Sequence, residues 1–210
     1  MSRAVVFLNG DAPSEKLLSR VNADDYLVCA DGAYKYLKGK FIPDVLLGDY
    51  DSLGEIPSES CAKEVRVYST KKDYSDGHLA VECAIEKGVS ELLILGAFGG
   101  RVDHFYANMS LLYQARLSGV DATILGEDCQ ILLVDGKVEK KVEIGSIVSL
   151  VPFFDKSHII STKGLSYEGD GITLQRANSS HGISNEATCE DISVSVDGLT
   201  LMFITRAEER

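Results

Sequence analysis

The chain has 210 residues, 45% of them hydrophobic, which suits one large globular domain or two small ones. Its net charge of −11 at pH 7 argues against a nucleic-acid partner or an anionic membrane surface. No run reaches the roughly 18–20 apolar residues of a membrane span and the N-terminus has no signal-peptide pattern, so we expect a cytoplasmic protein. The five cysteines are scattered and form no Cys-x-x-Cys pair, so we expect no disulfides.

Residues 1–126 alternate short apolar runs with helical patterns, which predicts an α/β domain built on a parallel sheet. The runs are continuously apolar, as expected of strands that are buried on both faces. The predicted strands are Ala4–Leu8, Tyr26–Ala30, Val45–Leu47, Val65–Tyr68, Leu92–Leu95 and Ala122–Leu125. The predicted helices are one capped by Ser14, a short one at Ala33–Leu37, and two longer ones at Ser75–Lys87 and Asp103–Leu117.

Residues 127–210 show no useful helical period, and we expect an all-β sandwich or barrel there. The predicted strands are Gln130–Val134, Val142–Val151, His158–Ser161, Gly171–Leu174, Ile192–Val196 and Leu199–Ile204. Hairpin turns are predicted at Asp135-Gly136, Gly169-Asp170 and Asp197-Gly198. About 80 residues give a thin core, so this domain is expected to pack on the first domain or on a second subunit.

Aspartates recur where the predicted strands end, which is the edge at which open parallel sheets bind ligands. Asp31 follows the second strand, and the segment Gly48-Asp49-Tyr50-Asp51-Ser52 follows the third. Asp49 and Asp51 are two residues apart and can project to the same side, where they could share one divalent cation. The alternative is a polar turn in which Asp51 or Ser52 caps local amides.

A second acidic segment, Lys71-Lys72-Asp73-Tyr74-Ser75-Asp76, precedes the third predicted helix. Asp73 or Ser75 can serve as the N-cap, with Asp76 in the first turn, and this alone would explain the pattern. The functional interpretation adds that Lys72 pairs with a phosphate oxygen while Asp73 and Asp76 hold a metal or orient a nucleophile.

The sharpest local signal is the segment Gly96-Ala97-Phe98-Gly99-Gly100-Arg101-Val102-Asp103-His104, which follows a strand and opens a helix. Gly99 and Gly100 let the backbone approach a ligand closely, and Arg101 offers a forked cation for phosphate. Asp103 caps the helix or joins a metal shell, and His104 is either a structural histidine or a phosphate contact. Asn9-Gly10-Asp11 is a simple turn or the opposite side of the same cleft.

Four segments in this order resemble the motifs of the thiamine pyrophosphokinase family. They match the G-D-[FY]-D-S, K-D-x-[ST]-D, G-G-R-x-D-H and S-N-E boxes, and the resemblance runs nearly end to end. The matching residues are Gly48-Asp49-Tyr50-Asp51-Ser52, Lys72-Asp73-Tyr74-Ser75-Asp76, Gly99-Gly100-Arg101-Val102-Asp103-His104 and Ser184-Asn185-Glu186. Tyr50 stands where phenylalanine is usual.

The resemblance implies a nucleotide-binding α/β domain (1–126) followed by a β-sandwich for thiamine binding and dimerisation (127–210). It also implies a homodimer with active sites between subunits, and pyrophosphoryl transfer from ATP to the hydroxyethyl oxygen of thiamine, which gives thiamine diphosphate and AMP. Our mechanistic hypothesis assigns Mg²⁺ to Asp49, Asp51 and Asp73, stabilisation of phosphate oxygens to Lys72 and Arg101, and orientation of the thiamine hydroxyl to Asp76 or Asp103. ATP contacts are further assigned to Asp31, Gly99, Gly100 and His104.

The thiamine ring system is expected to contact Ser184 and Asn185, and any aromatic wall must be Tyr or Phe because the chain has no tryptophan. Tyr167 is one candidate for that wall. Two other classes remain open: a magnesium-dependent transferase with another small alcohol as acceptor, and a non-catalytic nucleotide or thiamine sensor. Thiamine-dependent AMP release distinguishes among them.

Overall fold

A computed structural model describes residues 2–50, 58–71 and 73–207, except for the side chain of Glu59. The chain divides into two compact units, Met1–Glu127 and Asp128–Arg210. Within the described ranges, the structure contains no helix with the length and apolar character needed to cross a membrane.

The first unit is a parallel sheet with helices, as the alternation of apolar runs and helical patterns predicts. Its strands are β1 (Arg3–Phe7), β2 (Tyr26–Ala30), β3 (Val45–Gly48), β4 (Glu64–Val67), β5 (Glu91–Leu95) and β6 (Asp121–Leu125). Its helices are α1 (Glu15–Leu18), α2 (Tyr34–Leu37), α3 (Asp76–Glu86) and α4 (Val102–Leu117), with 3₁₀ turns at Asp31–Ala33 and Glu59–Cys61.

The strands of this sheet lie in the order β6-β5-β1-β2-β3-β4, and every described pairing is parallel. Alternate side chains such as Val5, Phe7 and Leu46 join one buried cluster with residues of α1 and α2. Helix α3 contacts β1, β2 and β3 as well as α4. Because both faces of the central strands are covered, their sequences are apolar after the charged first residues of β1 and β5, Arg3 and Glu91.

The strand order places a reversal beside β1. The chain runs outward from β1 through β2 and β3 to β4, and then returns to β5 on the other side of β1. In open α/β sheets, the carboxyl ends of the strands near such a reversal form a crevice that binds ligands. The segments that follow β1 and β5 therefore lie where a ligand is expected.

The second unit is antiparallel in its described strand pairs and is centred on its longest strand. Its strands are β7 (Cys129–Lys141), β8 (Ile147–Pro152), β9 (Lys156–Lys163), β10 (Ile172–Gln175), β11 (Asn185–Glu186) and β12 (Asp191–Thr205). Strand β12 pairs with β7, β8 and β9, while β10 pairs with β9 and β11 with β8. The core contains aliphatic side chains that include Leu150, Val194 and Met202.

Two of the predicted hairpin turns are wrong. Asp135-Gly136 and Asp197-Gly198 lie within the long strands β7 and β12, near an irregularity where the register shifts between Val196 and Thr200. Gly136 and Gly198 have φ values of 89° and 93°, and such glycines produce a bulge when a partner strand continues alongside. The turn at Gly169-Asp170 does lie between the antiparallel strands β9 and β10.

The predicted strand Val142–Val151 also begins later than expected, at Ile147. The amide of Ser146 donates to the carbonyl of Glu143 (3.0 Å), which closes a turn, and Gly145 in that turn has a φ of 86°. Glycine adopts this left-handed conformation at little cost, so the turn replaces the start of the strand.

Candidate active site

Three carboxylates come together at the carboxyl edge of the parallel sheet. Asp31 follows β2, Asp49 follows β3, and Asp76 is the first residue of α3; one oxygen from each lies within 4.8 Å of the other two. We call Asp31, Asp49 and Asp76 the acidic trio. Mg²⁺ takes oxygen ligands at about 2.0–2.1 Å, so side-chain rotations that bring the three oxygens closer together would let the trio hold a divalent cation.

Local backbone geometry explains why Asp31 and Asp49 meet. A Cβ atom at Gly48 would lie 2.7 Å from the Cβ of Asp31, so β3 can approach Asp31 only with glycine at this position. Asp31 has a φ of 42° and Tyr50 a φ of 59°, which are left-handed values that cost non-glycine residues energy. The backbone is therefore strained both at Asp31 and at Tyr50, in the two segments that meet here.

The side chain of Tyr50 anchors the strained turn. It is 2% exposed, and its hydroxyl lies 2.8 Å from the carbonyl of Leu46 on β3 and 3.1 Å from that of Arg66 on β4. Burial is the main cause that raises the pKa of this phenol above its ordinary value. The neutral hydroxyl ties the turn to two neighbouring strands.

The start of α3 is capped by a serine. The hydroxyl of Ser75 accepts a hydrogen bond from the amide of His78 (3.2 Å), so neither Asp73 nor Asp76 supplies the cap. Asp76 belongs to the acidic trio, whereas Asp73 is exposed and lies outside it. The structure thus groups Asp49 with Asp31 and Asp76 rather than with Asp73.

Three residues of the predicted site lie outside the described residues: Asp51, Ser52 and Lys72. Their assignments as a metal ligand, a capping residue and a phosphate contact stay predictions.

The glycine-rich loop after β5 is joined to the segment after β1. The amide of Gly10 donates to the carbonyl of Gly96 (2.9 Å), and that of Asp11 donates to the carbonyl of Phe98 (2.7 Å). The hydroxyl of Tyr36 also donates to the carbonyl of Gly10 (2.6 Å). Asn9-Gly10-Asp11 is thus joined directly to the glycine-rich loop at the carboxyl edge of the sheet, and its role as one side of a ligand cleft stays a prediction.

The loop is also held from α4 and leaves one side open. The side-chain amide of Asn108 donates through Nδ2 to the carbonyl of Ala97 (2.9 Å). Gly99 and Gly100 have φ values of 73° and 65°, and a Cβ at Gly99 would overlap the carboxylate of Asp11. At Gly100 no described atom lies within 4 Å of that position, so a ligand can approach the backbone there.

Arg101 and Asp103 form an exposed ion pair with two contacts. The guanidinium donates to the two carboxylate oxygens at distances of 3.1 and 2.6 Å. The hydrogen bond from Arg101 lowers the pKa of Asp103 and raises that of Arg101. Asp103 does not cap α4, whose N-cap residue is Arg101 without a side-chain cap. His104 is exposed in the first turn of that helix.

The second unit contains a cavity of about 330 Å³. Its walls are mainly aliphatic, and its polar lining includes Thr162, His181 and Asn185, with Tyr167 beside them. Asn185 therefore lines the cavity, and the neighbouring Ser184 does not. The amide of Ser184 donates to the hydroxyl of Ser149 (3.0 Å), and Ser184 has a left-handed φ of 59°.

Several structural contributors were not apparent from the sequence. The hydroxyl of Tyr36 holds the segment after β1, the side chain of Asn108 holds the glycine-rich loop, and the hydroxyl of Tyr50 anchors the turn that carries Asp49. The only available signal was their position beside the motifs. For the cavity, the S-N-E motif indicated Asn185, but most of the walls come from strands distant in sequence.

The first unit belongs to the class of open-sheet α/β domains whose ligand-binding groups lie at the carboxyl ends of parallel strands. Its acidic trio and glycine-rich loop both lie there. The profile "Thiamin pyrophosphokinase, catalytic domain" matches residues 17–124, and "Thiamin pyrophosphokinase, vitamin B1 binding domain" matches residues 137–201. The chain belongs to the thiamin pyrophosphokinase family, which confirms the resemblance seen in its four motifs.

Individual relatives agree with this assignment. The thiamine pyrophosphokinase of Bacillus subtilis is 30% identical over 141 residues, which span 65% of this chain and 66% of that protein. Thiamin pyrophosphokinase 1 of Caenorhabditis elegans is 27% identical over 186 residues, or 81% and 76% of the two chains. The crystal structure of the Bacillus subtilis enzyme shares the fold, with a TM-score of 0.84, 24% identity and coverage of 98% and 99%.

Proposed function

We propose that this chain transfers the pyrophosphoryl group of ATP to the hydroxyethyl oxygen of thiamine. In this reaction, the thiamine oxygen bonds to the β-phosphorus, the bond from that phosphorus to the oxygen bridging to the α-phosphorus breaks, and AMP leaves. The observation that carries the proposal is the acidic trio beside the glycine-rich edge in a chain that matches both domains of the family.

The donor set of the trio supports a divalent-cation site. Carboxylate oxygens are the ligands that Mg²⁺ prefers, and such a cation, when bound, neutralises charge on phosphate oxygens. We assign Asp31, Asp49 and Asp76 to this role, with Asp51 and Asp73 kept as predicted further ligands. Because Asp76 lies in the trio, we assign the orientation of the thiamine hydroxyl to Asp103.

The loop residues supply the contacts to ATP in this proposal. The backbone at Gly99 and Gly100 approaches the phosphates, and Arg101 exchanges its contacts with Asp103 for phosphate oxygens. His104, in the first turn of α4, is assigned to the same phosphates, as is Lys72. Positioning and charge stabilisation are the main needs of phosphoryl-type transfer, so no covalent intermediate is invoked.

We assign the thiamine ring system to the cavity of the second unit. A volume of about 330 Å³ with aliphatic walls and a few polar groups suits a small heteroaromatic ligand. Asn185 and Tyr167 line it, which supports Asn185 as a residue of the thiamine site and Tyr167 as its aromatic wall. Ser184 is assigned to the edge of the site rather than to its lining.

We also propose the domain roles and assembly that the family implies. Residues 1–126 form the ATP- and Mg²⁺-binding catalytic domain, and residues 127–210 form a β-sandwich for thiamine binding and dimerisation. The protein is proposed to be a homodimer with its active sites between subunits. Sedimentation equilibrium at assay concentration tests this, because a monomeric protein with full activity would contradict it.

The decisive experiment measures AMP formation from ATP and Mg²⁺ with and without thiamine, and identifies the product by mass. Thiamine-dependent AMP together with thiamine diphosphate supports the proposal. ADP, or AMP formed regardless of thiamine, indicates a different acceptor. Thiamine binding without turnover indicates a sensor.

A further inference from the structure

The side-chain amide of Asn185 is hydrogen-bonded to main-chain groups of Tyr167 and Glu186. Its Oδ1 accepts hydrogen bonds from the amides of Tyr167 (2.9 Å) and Glu186 (3.0 Å), and its Nδ2 donates to the carbonyl of Tyr167 (2.7 Å). A carboxamide oxygen has two lone pairs and its nitrogen two hydrogens. The oxygen is therefore saturated, and one N–H is left for any ligand.

The two bonds to Tyr167 hold the middle of the connection between β9 and β10, and further along it the amide of Gly169 donates to the hydroxyl of Thr162 (2.9 Å). Leu165 forms an isolated bridge with Ala187, and the amide of Ser166 donates to the carbonyl of Glu186 (2.8 Å). Tyr167 itself is 77% exposed, although it lines the cavity. Because so little of its side chain is buried, the position of the ring depends on how its main chain is held.

We infer that Asn185 is a positioning residue, which acts on thiamine by fixing the main chain of Tyr167 so that the tyrosine ring stands at the cavity wall. This inference rests on the proposed assignment of thiamine to the cavity. It changes the expected role of Asn185, from a direct polar contact with the ligand to support of the residue that makes the contact.

A double-mutant cycle on thiamine affinity tests the inference. We expect Asn185→Ala to weaken thiamine binding about tenfold in the wild-type background, the equivalent of two modest hydrogen bonds. In a Tyr167→Ala background the same substitution should change affinity by less than about twofold, because no ring remains to be positioned. An equal loss in both backgrounds indicates direct contact by Asn185 and overturns the inference.

Steady-state kinetics separate positioning from general damage to the fold. Asn185→Ala should raise the KM for thiamine while leaving the KM for ATP unchanged; an equal rise in both would count against the inference. Asn178→Ala is the control for specificity: Asn178 also accepts a backbone hydrogen bond, from the cavity-lining Ser180 (3.1 Å), but no described bond joins it to Tyr167, so it should leave the Tyr167 readouts unchanged. If Asn185→Ala does not fold, Asn185→Asp replaces it, which keeps both acceptor bonds and removes the donor to Tyr167.

A ligand-free readout distinguishes failure of this inference from failure of the proposed function. The chain has no tryptophan, so Tyr167→Trp introduces a single tryptophan at this segment, which can be excited separately from the tyrosines. Asn185→Ala should lower its anisotropy and increase its quenching by acrylamide; unchanged values overturn the inference. If these changes occur but the wild-type protein binds no thiamine, Asn185 holds the segment while the thiamine assignment is wrong.

Discussion

Asp49→Asn should stabilise the protein when no divalent cation is present and remove its response to Mg²⁺. At 4.8 Å, the upper limit of the oxygen separations in the trio, two carboxylates repel by roughly 1 kcal/mol in water and by roughly 3.5 kcal/mol at an effective dielectric constant of 20. Asp31 is 6% exposed and Asp49 and Asp76 are half-buried, so the low end of that range is the smallest repulsion expected for each of the two pairs that include Asp49, and we use that value. The substitution should then add about 2 kcal/mol to the free energy of unfolding of the cation-free protein.

A thermal melt measures this directly. For a chain of this size, about 2 kcal/mol corresponds to a rise in Tm of roughly 4–8 °C in EDTA at low salt. Adding Mg²⁺ should raise the Tm of the wild-type protein by mass action and leave that of the variant nearly unchanged. Asp24→Asn is the control, because Asp24 is an exposed carboxylate of the same unit outside the trio. A variant that melts lower in EDTA, or that keeps the full Mg²⁺ response, would refute the electrostatic account of this site.

Three further predictions concern the same edge of the sheet. Asp76→Asn should reduce the Mg²⁺-induced rise in Tm more than Asp73→Asn does, because only Asp76 lies in the trio. A larger reduction by Asp73→Asn would indicate that Asp73 is the metal ligand. Gly96→Ala should lower the free energy of unfolding in urea by about 3 kcal/mol or more, because its Cβ would lie 2.2 Å from the carbonyl oxygen of Leu8. Gly100→Ala should lower it by only about 1–2 kcal/mol, because the backbone there is left-handed but the space is open. Equal losses would contradict the packing argument. Burial raises the pKa of Tyr50, so its contribution to stability is intact below about pH 10 and declines at higher pH, where the tyrosine of the unfolded chain ionises first. In urea unfolding, Tyr50→Phe should therefore reduce the loss of stability at alkaline pH. An unchanged dependence on pH would count against the burial argument.

The parallel sheet could be predicted from the sequence because a strand that is buried on both faces is a continuous run of apolar residues. Tyr26–Ala30 is apolar throughout, and the predicted bounds of this strand agree with the structure. The Asp-Gly signals at 135–136 and 197–198 could not be interpreted in the same way. A glycine with positive φ suits both a hairpin turn and a bulge, and the partner strand decides between them.

The candidate site shows the same division between local and non-local information. The motifs indicated the carboxyl edge of the sheet, where the structure brings Asp31, Asp49 and Asp76 together, because strand ends are a local feature. The choice of Asp76 over Asp73 depends on Ser75 taking the cap of α3, and the approach of Asp31 depends on the missing side chain at Gly48. The bonds between Asn185 and Tyr167 join residues 18 positions apart, and no pattern in the sequence indicates them.

Among the described residues, the non-glycine positions with a left-handed φ are Asp31, Tyr50 and Ser184, and each lies in a segment that we associate with function. Glycine at any of the three would relieve backbone strain at that position. Selection for heat resistance alone would therefore favour such replacements within the segments of the candidate site. For this chain, a library intended to raise thermostability should keep these three positions fixed and seek its gains elsewhere.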